Sequence, residues 1–83
     1  MIQALKSKGY GFIIVPNPSD QIIQIIMDDQ ITKIQVFNLA SQLMALPPAD
    51  KNNVLDISGL NKGMYIISVE TNDNIYTQKL IKN

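Results

Sequence analysis

Residues Leu55 to Glu70 read Leu-Asp-Ile-Ser-Gly-Leu-Asn-Lys-Gly-Met-Tyr-Ile-Ile-Ser-Val-Glu. This stretch decides the fold. Leu55 and Ile57 alternate with Val54, Asp56 and Ser58, and Tyr65, Ile67 and Val69 alternate with Met64, Ile66, Ser68 and Glu70. Both halves therefore carry the period of two that puts successive side chains on opposite faces of a strand. Between them lies a turn cluster, Gly59-Leu60-Asn61-Lys62-Gly63, so the chain makes a short strand, a corner and a longer strand.

The spacing Leu60-x-x-Gly63-x-Tyr65 resembles the tyrosine corner of immunoglobulin-like sandwiches, in which a Tyr opening one strand sends its hydroxyl back to the backbone a few residues upstream. That device carries the chain from one sheet to the other. It implies that Leu55 to Ile57 and Met64 to Glu70 are the fifth and sixth strands and belong to opposing sheets.

Working outward from this corner, strand and turn signals continue in both directions. Upstream, Phe12 to Val15 is a short apolar run ended by Pro16-Asn17-Pro18-Ser19-Asp20, where two prolines remove two ladder donors and fix two φ angles; an edge strand and a rigid turn are expected. Gln21 to Met27 has Ile pairs three residues apart that would suit a helix, but a short β-branched run between two turns favours a strand. Asp28-Asp29-Gln30 is a turn and Ile31 to Leu39 the third strand, with Ile34 and Val36 on one face and Phe37 and Leu39 on the other. That slip of phase is expected of a strand that bends or leaves its sheet. Gln42 to Leu46 reads as a brief fourth strand stopped by Pro47-Pro48, and Ala49 to Asn53 as a polar loop. Downstream, Thr71 to Asn74 closes a hairpin, and Ile75 to Lys82 is the last strand, with apolar residues on both parities and hence no assignable inner face. Seven or so short strands with turn signals every ~8 to 12 residues predict an all-β, immunoglobulin-like antiparallel β-sandwich of about seven strands.

Composition excludes several functions. At 83 residues the chain holds one core, and 46% apolar content is enough to fill it. Seven lysines balance seven acidic residues and there is no arginine, which argues against a nucleic-acid partner, since phosphate binding needs clustered positive charge. With no cysteine and no histidine, disulfides and most zinc, haem and nucleophile–base chemistry are excluded. Glu70 is the only glutamate, so an enzyme would have to find its general base among scattered aspartates. No apolar run approaches the ~20 residues of a transmembrane helix, and Met1 to Gly11 lacks the apolar core of a secretory signal. Residues 1–11, with Ser7, Gly9 and Gly11, read as a linker or cargo-proximal segment, and the chain as a piece of something longer.

Four landmarks now stand in order: Val15-Pro16-Asn17-Pro18-Ser19, Ile34-Gln35-Val36-Phe37-Asn38-Leu39-x-x-Gln42, Leu55 to Tyr65, and Lys79-Leu80-Ile81-Lys82. Together they resemble the C-terminal sorting domain, type A, of cargo proteins of the type IX secretion system (the Por system) of Gram-negative bacteria. The resemblance spans residues 12–83. It implies a C-terminal signal that directs an N-terminal cargo domain through the periplasm and across the outer membrane by the type IX translocon. It also implies removal by a sortase-like cysteine protease in the segment near Gly9 to Gly11, and a cargo that is released or joined to anionic lipopolysaccharide at the cell surface. The sorting motifs map onto Pro16, Asn17, Pro18, Gly63, Tyr65, Lys79, Leu80, Ile81 and Lys82. The chain departs from the family's usual Asn-Leu-x-Gly-Gln at Ser41, which stands where the Gly would be, a change expected to act on local turn geometry.

Each motif also has a plain structural reading. Gly63 and Tyr65 determine the corner whether or not a receptor touches them. Pro16-Asn17-Pro18 is a rigid turn that blunts an edge and blocks strand addition, and a terminal strand with outward Lys79 and Lys82 is an ordinary protected edge. Asp28-Asp29 and Asn72-Asp73-Asn74 offer oxygens to calcium, yet turns of this composition need no metal. No cofactor is expected. Tyr10 and Tyr76 make a thin case for a sugar platform. The alternative to a sorting signal is a fibronectin- or adhesin-like module that binds a glycan or a protein at the cell surface. Terminal strands of small sandwiches can exchange between copies, giving a strand-swapped dimer.

Overall fold

A computed structural model describes residues 11–83. In it six strands form two antiparallel sheets, with no helix among the described residues. The strands are β1 (Ile13–Val15), β2 (Ile22–Ile26), β3 (Lys33–Asn38), β4 (Val54–Asp56), β5 (Gly63–Glu70) and β6 (Ile75–Lys82). One sheet has the order β1-β2-β4 and the other β3-β5-β6. β1 is an edge strand, and the stretch with Ile pairs three apart is the central strand β2 rather than a helix.

The period of two selects the core. From the first sheet Ile14, Ile23, Ile25 and Leu55 point inward, and from the second Val36, Tyr65, Ile67, Val69 and Leu80. Phe12, Ile57 and Leu60 complete the buried set from the connecting segments. Each large apolar side chain fully removed from water contributes about 1.5–3 kcal/mol, and Ile23, Ile57, Ile67, Val69 and Leu80 have no exposed surface. In β6 the even parity faces in: Leu80 is buried and Tyr76 packs against the core, while Ile75 and Ile81 are exposed. Lys79 belongs to the outward set, and Lys82, half-buried, has the parity of Leu80. A separation of three residues along a strand puts two side chains on opposite faces, so the two lysines do not share the outward face expected of them.

The expected strand over Gln42 to Leu46 is not formed. Asn38 accepts the N–H groups of Ala40 and Gln42 on its Oδ1, at 2.9 Å each, and Ser41 takes a left-handed φ of 65°. The chain thus doubles back on β3. Asn38 N–H donates to Gln42 O (3.0 Å) and Met44 N–H to Val36 O (2.8 Å), leaving a single bridge, Phe37 to Leu43. Pairing goes no further, and Pro47 and Pro48 just beyond have no N–H to offer a ladder. Between Met44 to Ala49 and the flank of Ile34, Val36 and Leu55 an apolar groove of about 270 Å³ remains. Nor does β3 leave its sheet: it pairs with β5 in unbroken register from Lys33–Glu70 to Asn38–Tyr65. The phase slip at Phe37 and Leu39 has another cause, since Phe37 is half-buried and bridged to Leu43 while Leu39 lies 66% exposed in the turn.

Candidate functional site

The corner is built as its spacing requires. The Tyr65 hydroxyl donates to Asn61 O at 2.7 Å, and β4 and β5 on either side of it lie in different sheets. Leu60 is buried beneath it, its N–H donating to Ile57 O at 3.0 Å. Gly63 has φ 148° with open space where a Cβ would stand. Its requirement for glycine is therefore conformational rather than steric. Ahead of the corner Asp56 Oδ1 accepts both the N–H (2.9 Å) and the hydroxyl (2.7 Å) of Ser58. The hydroxyl bond, then the backbone one, holds this fully exposed carboxyl below the usual aspartate range.

The corner opens β5, and β5 lies directly beside β6: Gly63 pairs with Lys82 and Tyr65 with Leu80. On the other side of β6 runs the Pro16-Asn17-Pro18 loop. Ser19 makes a parallel bridge to Lys82, its N–H donating to Ile81 O (3.1 Å) and its carbonyl accepting from Asn83 N–H (2.9 Å). One step earlier the side chain of Asn17 does the same work: Nδ2 donates to Lys79 O (3.0 Å) and Oδ1 accepts from Ile81 N–H (3.0 Å). In a parallel ladder a residue brackets its partner in this way, donating to the carbonyl before it and accepting from the N–H after it. The Asn17 amide brackets Leu80 and the Ser19 backbone brackets Lys82, so a carboxamide stands in for a peptide group along the strand edge.

The prolines explain why a loop can take this role. Neither Pro16 nor Pro18 has an N–H of its own to satisfy, and both fix φ beside Asn17. Both peptide bonds, Val15–Pro16 and Asn17–Pro18, are cis. Ser19 is 4% exposed, and its hydroxyl donates to Ile22 O at 2.8 Å, tying the loop to the start of β2.

The nine expected site residues thus meet at one end of the molecule, although they are up to 66 positions apart in the chain. Their side chains are not all presented alike: Leu80 has no exposed surface and Tyr65 only 6%, while Asn17 and Lys79 are open. Ser19 and Asn83 complete the arrangement and are missing from the expected set. Only the identity of Ser19 as the residue after Pro-Asn-Pro hinted at the first, and the second acts through its main chain, which leaves no signal in side-chain chemistry.

Other expected features fall elsewhere. Residues 1–10, and with them most of the expected linker, the cleavage region at Gly9 and the Tyr10 half of a sugar platform, lie outside the described residues. Gly11, at φ 71°, sits against the Tyr76 ring, which a Cβ would overlap, and the Gln78 amide donates to Phe12 O. Among the described residues no three carboxylates converge as a metal site would need. Thr71 and Asn74 close the last hairpin, with Thr71 N–H on Asn74 O at 2.9 Å, and Asp73 N–H is tied to the Thr71 hydroxyl.

Residues 13–83 match the secretion system C-terminal sorting domain, and the chain belongs to that family, whose members are type IX sorting signals. Such a domain marks its protein for export to the cell surface or the extracellular space. Among curated proteins the chain is similar to the ulvan lyase NLR42 of Nonlabens ulvanivorans, 35% identical over 74 residues, covering 84% of this chain and 14% of the lyase. The chain therefore spans about a seventh of the length of that relative.

Proposed function

We propose that this domain works as a folded, non-catalytic address at the end of a larger cargo protein, and that the type IX translocon reads the end of the sandwich where the three motifs meet. The observation that carries the reading is Lys82: it pairs with Gly63 on one side and Ser19 on the other. The Pro-Asn-Pro loop, the Gly-x-Tyr corner and the Lys-Leu-Ile-Lys strand are thereby one surface. Two further steps belong to the proposal: a sortase-like cysteine protease cuts in the segment before Phe12, and the cargo is then released or anchored at the surface. By analogy with the ulvan lyase, the cargo is an enzyme that this domain follows in the chain.

We also infer that the two sheets are those of an immunoglobulin-like sandwich with one strand missing. What supports this is strand order. β1-β2-β4 and β3-β5-β6 correspond to A-B-E and C-F-G, with the tyrosine corner at the E-to-F crossing, and the absent D strand falls in the segment between β3 and β4.

The test is deletion of Gln78 to Asn83 from the full-length cargo protein. Accumulation in the periplasm is expected, and normal surface delivery refutes the proposal. Because the deletion also strips Leu80 from the core, Lys79→Ala with Lys82→Ala is the companion variant. It leaves the apolar filling intact and is expected to impair delivery without lowering the unfolding midpoint by more than a few degrees.

A further inference from the structure

The outward face of the β1-β2-β4 sheet is apolar where a solvated sheet face is ordinarily polar. Its positions are Ile13 and Val15 on β1, Ile22, Gln24 and Ile26 on β2, and Val54 and Asp56 on β4. Ile13, Val15, Ile22 and Ile26 are each between 38% and 57% exposed. The register joins them into one patch: Ile13 lies opposite Ile26, Val15 opposite Gln24, and Gln24 opposite Val54. A contiguous exposed aliphatic patch marks a surface that something covers. Its rim is negative. The stretch from Ile13 to Thr32 carries Asp20, Asp28 and Asp29, all exposed, and no lysine, and β4 adds Asp56. Against these four carboxylates the loop before β4 brings one cation, Lys51, next to the Asn52 carbonyl to which the Gln24 amide donates (3.2 Å).

That rim selects the occupant. It repels anionic lipid headgroups, and a second copy packed on the same face sets carboxylate against carboxylate. What fits is a segment with aliphatic side chains, cations and no acid. Such a segment leads into this sheet: Met1, Ile2, Ala4 and Leu5, followed by Lys6 and Lys8. Ten extended residues reach ~35 Å, several times the ~10 Å across three paired strands. Their point of attachment is fixed, since Gly11, with a left-handed φ of 71°, sits against the Tyr76 ring just before β1. We propose that this face seats the cargo-proximal segment of its own chain, with the aliphatic residues of positions 1–5 on the Ile13–Ile26 patch and Lys6 and Lys8 toward the aspartates. The tether supplies an effective concentration in the mM range, so a patch too small to hold a free peptide holds this one. The seat sets the direction in which the upstream polypeptide leaves the domain. It uses none of the nine sorting-motif residues, so the two proposals stand or fall separately.

The chain has no cysteine, so Gln3→Cys takes a single nitroxide label, and the full 83-residue chain is then followed by NMR. Because packed sheets stand ~10 Å apart, the amides of Ile22, Gln24 and Val54 are expected to lose roughly twice as much signal as those of Gln35, Ile66 and Lys79 in the other sheet. Lys6→Glu with Lys8→Glu is expected to shrink that difference roughly fivefold, through two lost charge pairs. Ile22→Ser with Ile26→Ser, which changes only outward positions, is expected to remove it. Equal signal loss in the two sheets overturns the proposal, and so does a difference that survives either double variant. Signal loss passed from a labelled chain to an unlabelled one mixed with it makes a second copy the occupant and overturns the assignment. Should Ile22→Ser with Ile26→Ser lose exchange protection at Ile67, and so fail to fold, the lysine variant, which changes no residue of either sheet, decides alone.

Discussion

Replacing Tyr65 by Phe removes one oxygen and leaves the ring in the core. The hydroxyl donates to Asn61 O at 2.7 Å from a side chain only 6% exposed, so the bond is largely shielded from competing water. Asn61 is itself exposed, and its carbonyl regains water when the phenol goes. The loss is thus the net value of one hydrogen bond, about 1 kcal/mol and at most about 1.5, without the added penalty of an orphaned buried acceptor. For a domain of this size each 1 kcal/mol moves the midpoint by about 4–8 °C, so Tm should fall by about 4–12 °C. The urea m-value should not change, because the surface exposed on unfolding is the same. Tyr65→Ala, which also vacates the ring's place in the core, should cost about 3–5 kcal/mol. Thermal unfolding followed by circular dichroism, with urea titration beside it, measures both. A Tyr65→Phe protein melting within about 1 °C of the parent would mean that the hydroxyl contributes nothing and that the corner is held by packing alone.

Gly63→Ala should lose about 1–3 kcal/mol because φ 148° is strained for any residue with a Cβ; Gly63→Ser should lose the same, since the surrounding space is open. Ser41→Gly should raise the unfolding midpoint by a few degrees: relief of the left-handed strain at φ 65° is worth about 1–2 kcal/mol, partly offset by about 0.5–1 from the freer unfolded chain. Asp56 titrates below the usual aspartate range because Ser58 donates to its charged form. It therefore stabilises the folded chain at neutral pH, and that contribution is lost as pH falls below about 4 and through the lowered folded value. NMR titration of the Asp56 carboxyl should give a midpoint that rises in Ser58→Ala, and an unchanged midpoint in that variant contradicts the assigned cause.

The corner was legible because Gly63 and Tyr65 act locally: one supplies a φ, the other reaches four residues back, and both requirements are written in their spacing. The central strand β2 was legible for a similar reason, since Ile side chains branched at Cβ crowd a helix and fit a pleat. The strand over Gln42 to Leu46 misled because alternation cannot report whether a partner edge is reachable. Asn38 and Ser41 turn the chain tightly, and only the single Phe37–Leu43 bridge forms. The inner face of β6 could not be assigned because both parities are apolar. Contact decides it, with Tyr76 and Leu80 meeting the core and Ile81 looking out. For the candidate site, the sequence offers residues but does not disclose their meeting. Nothing in Pro16-Asn17-Pro18 says which edge it covers, and pairing by a side-chain amide leaves no periodic trace.

Leu80 has no exposed surface, and it sits on the strand synthesised last in this domain. One wall of the core arrives only with that strand, so a ribosome must have made the whole tag before the tag can close. A polypeptide broken off before Leu80 would carry its export label as an unclosed sheet with a bare apolar flank.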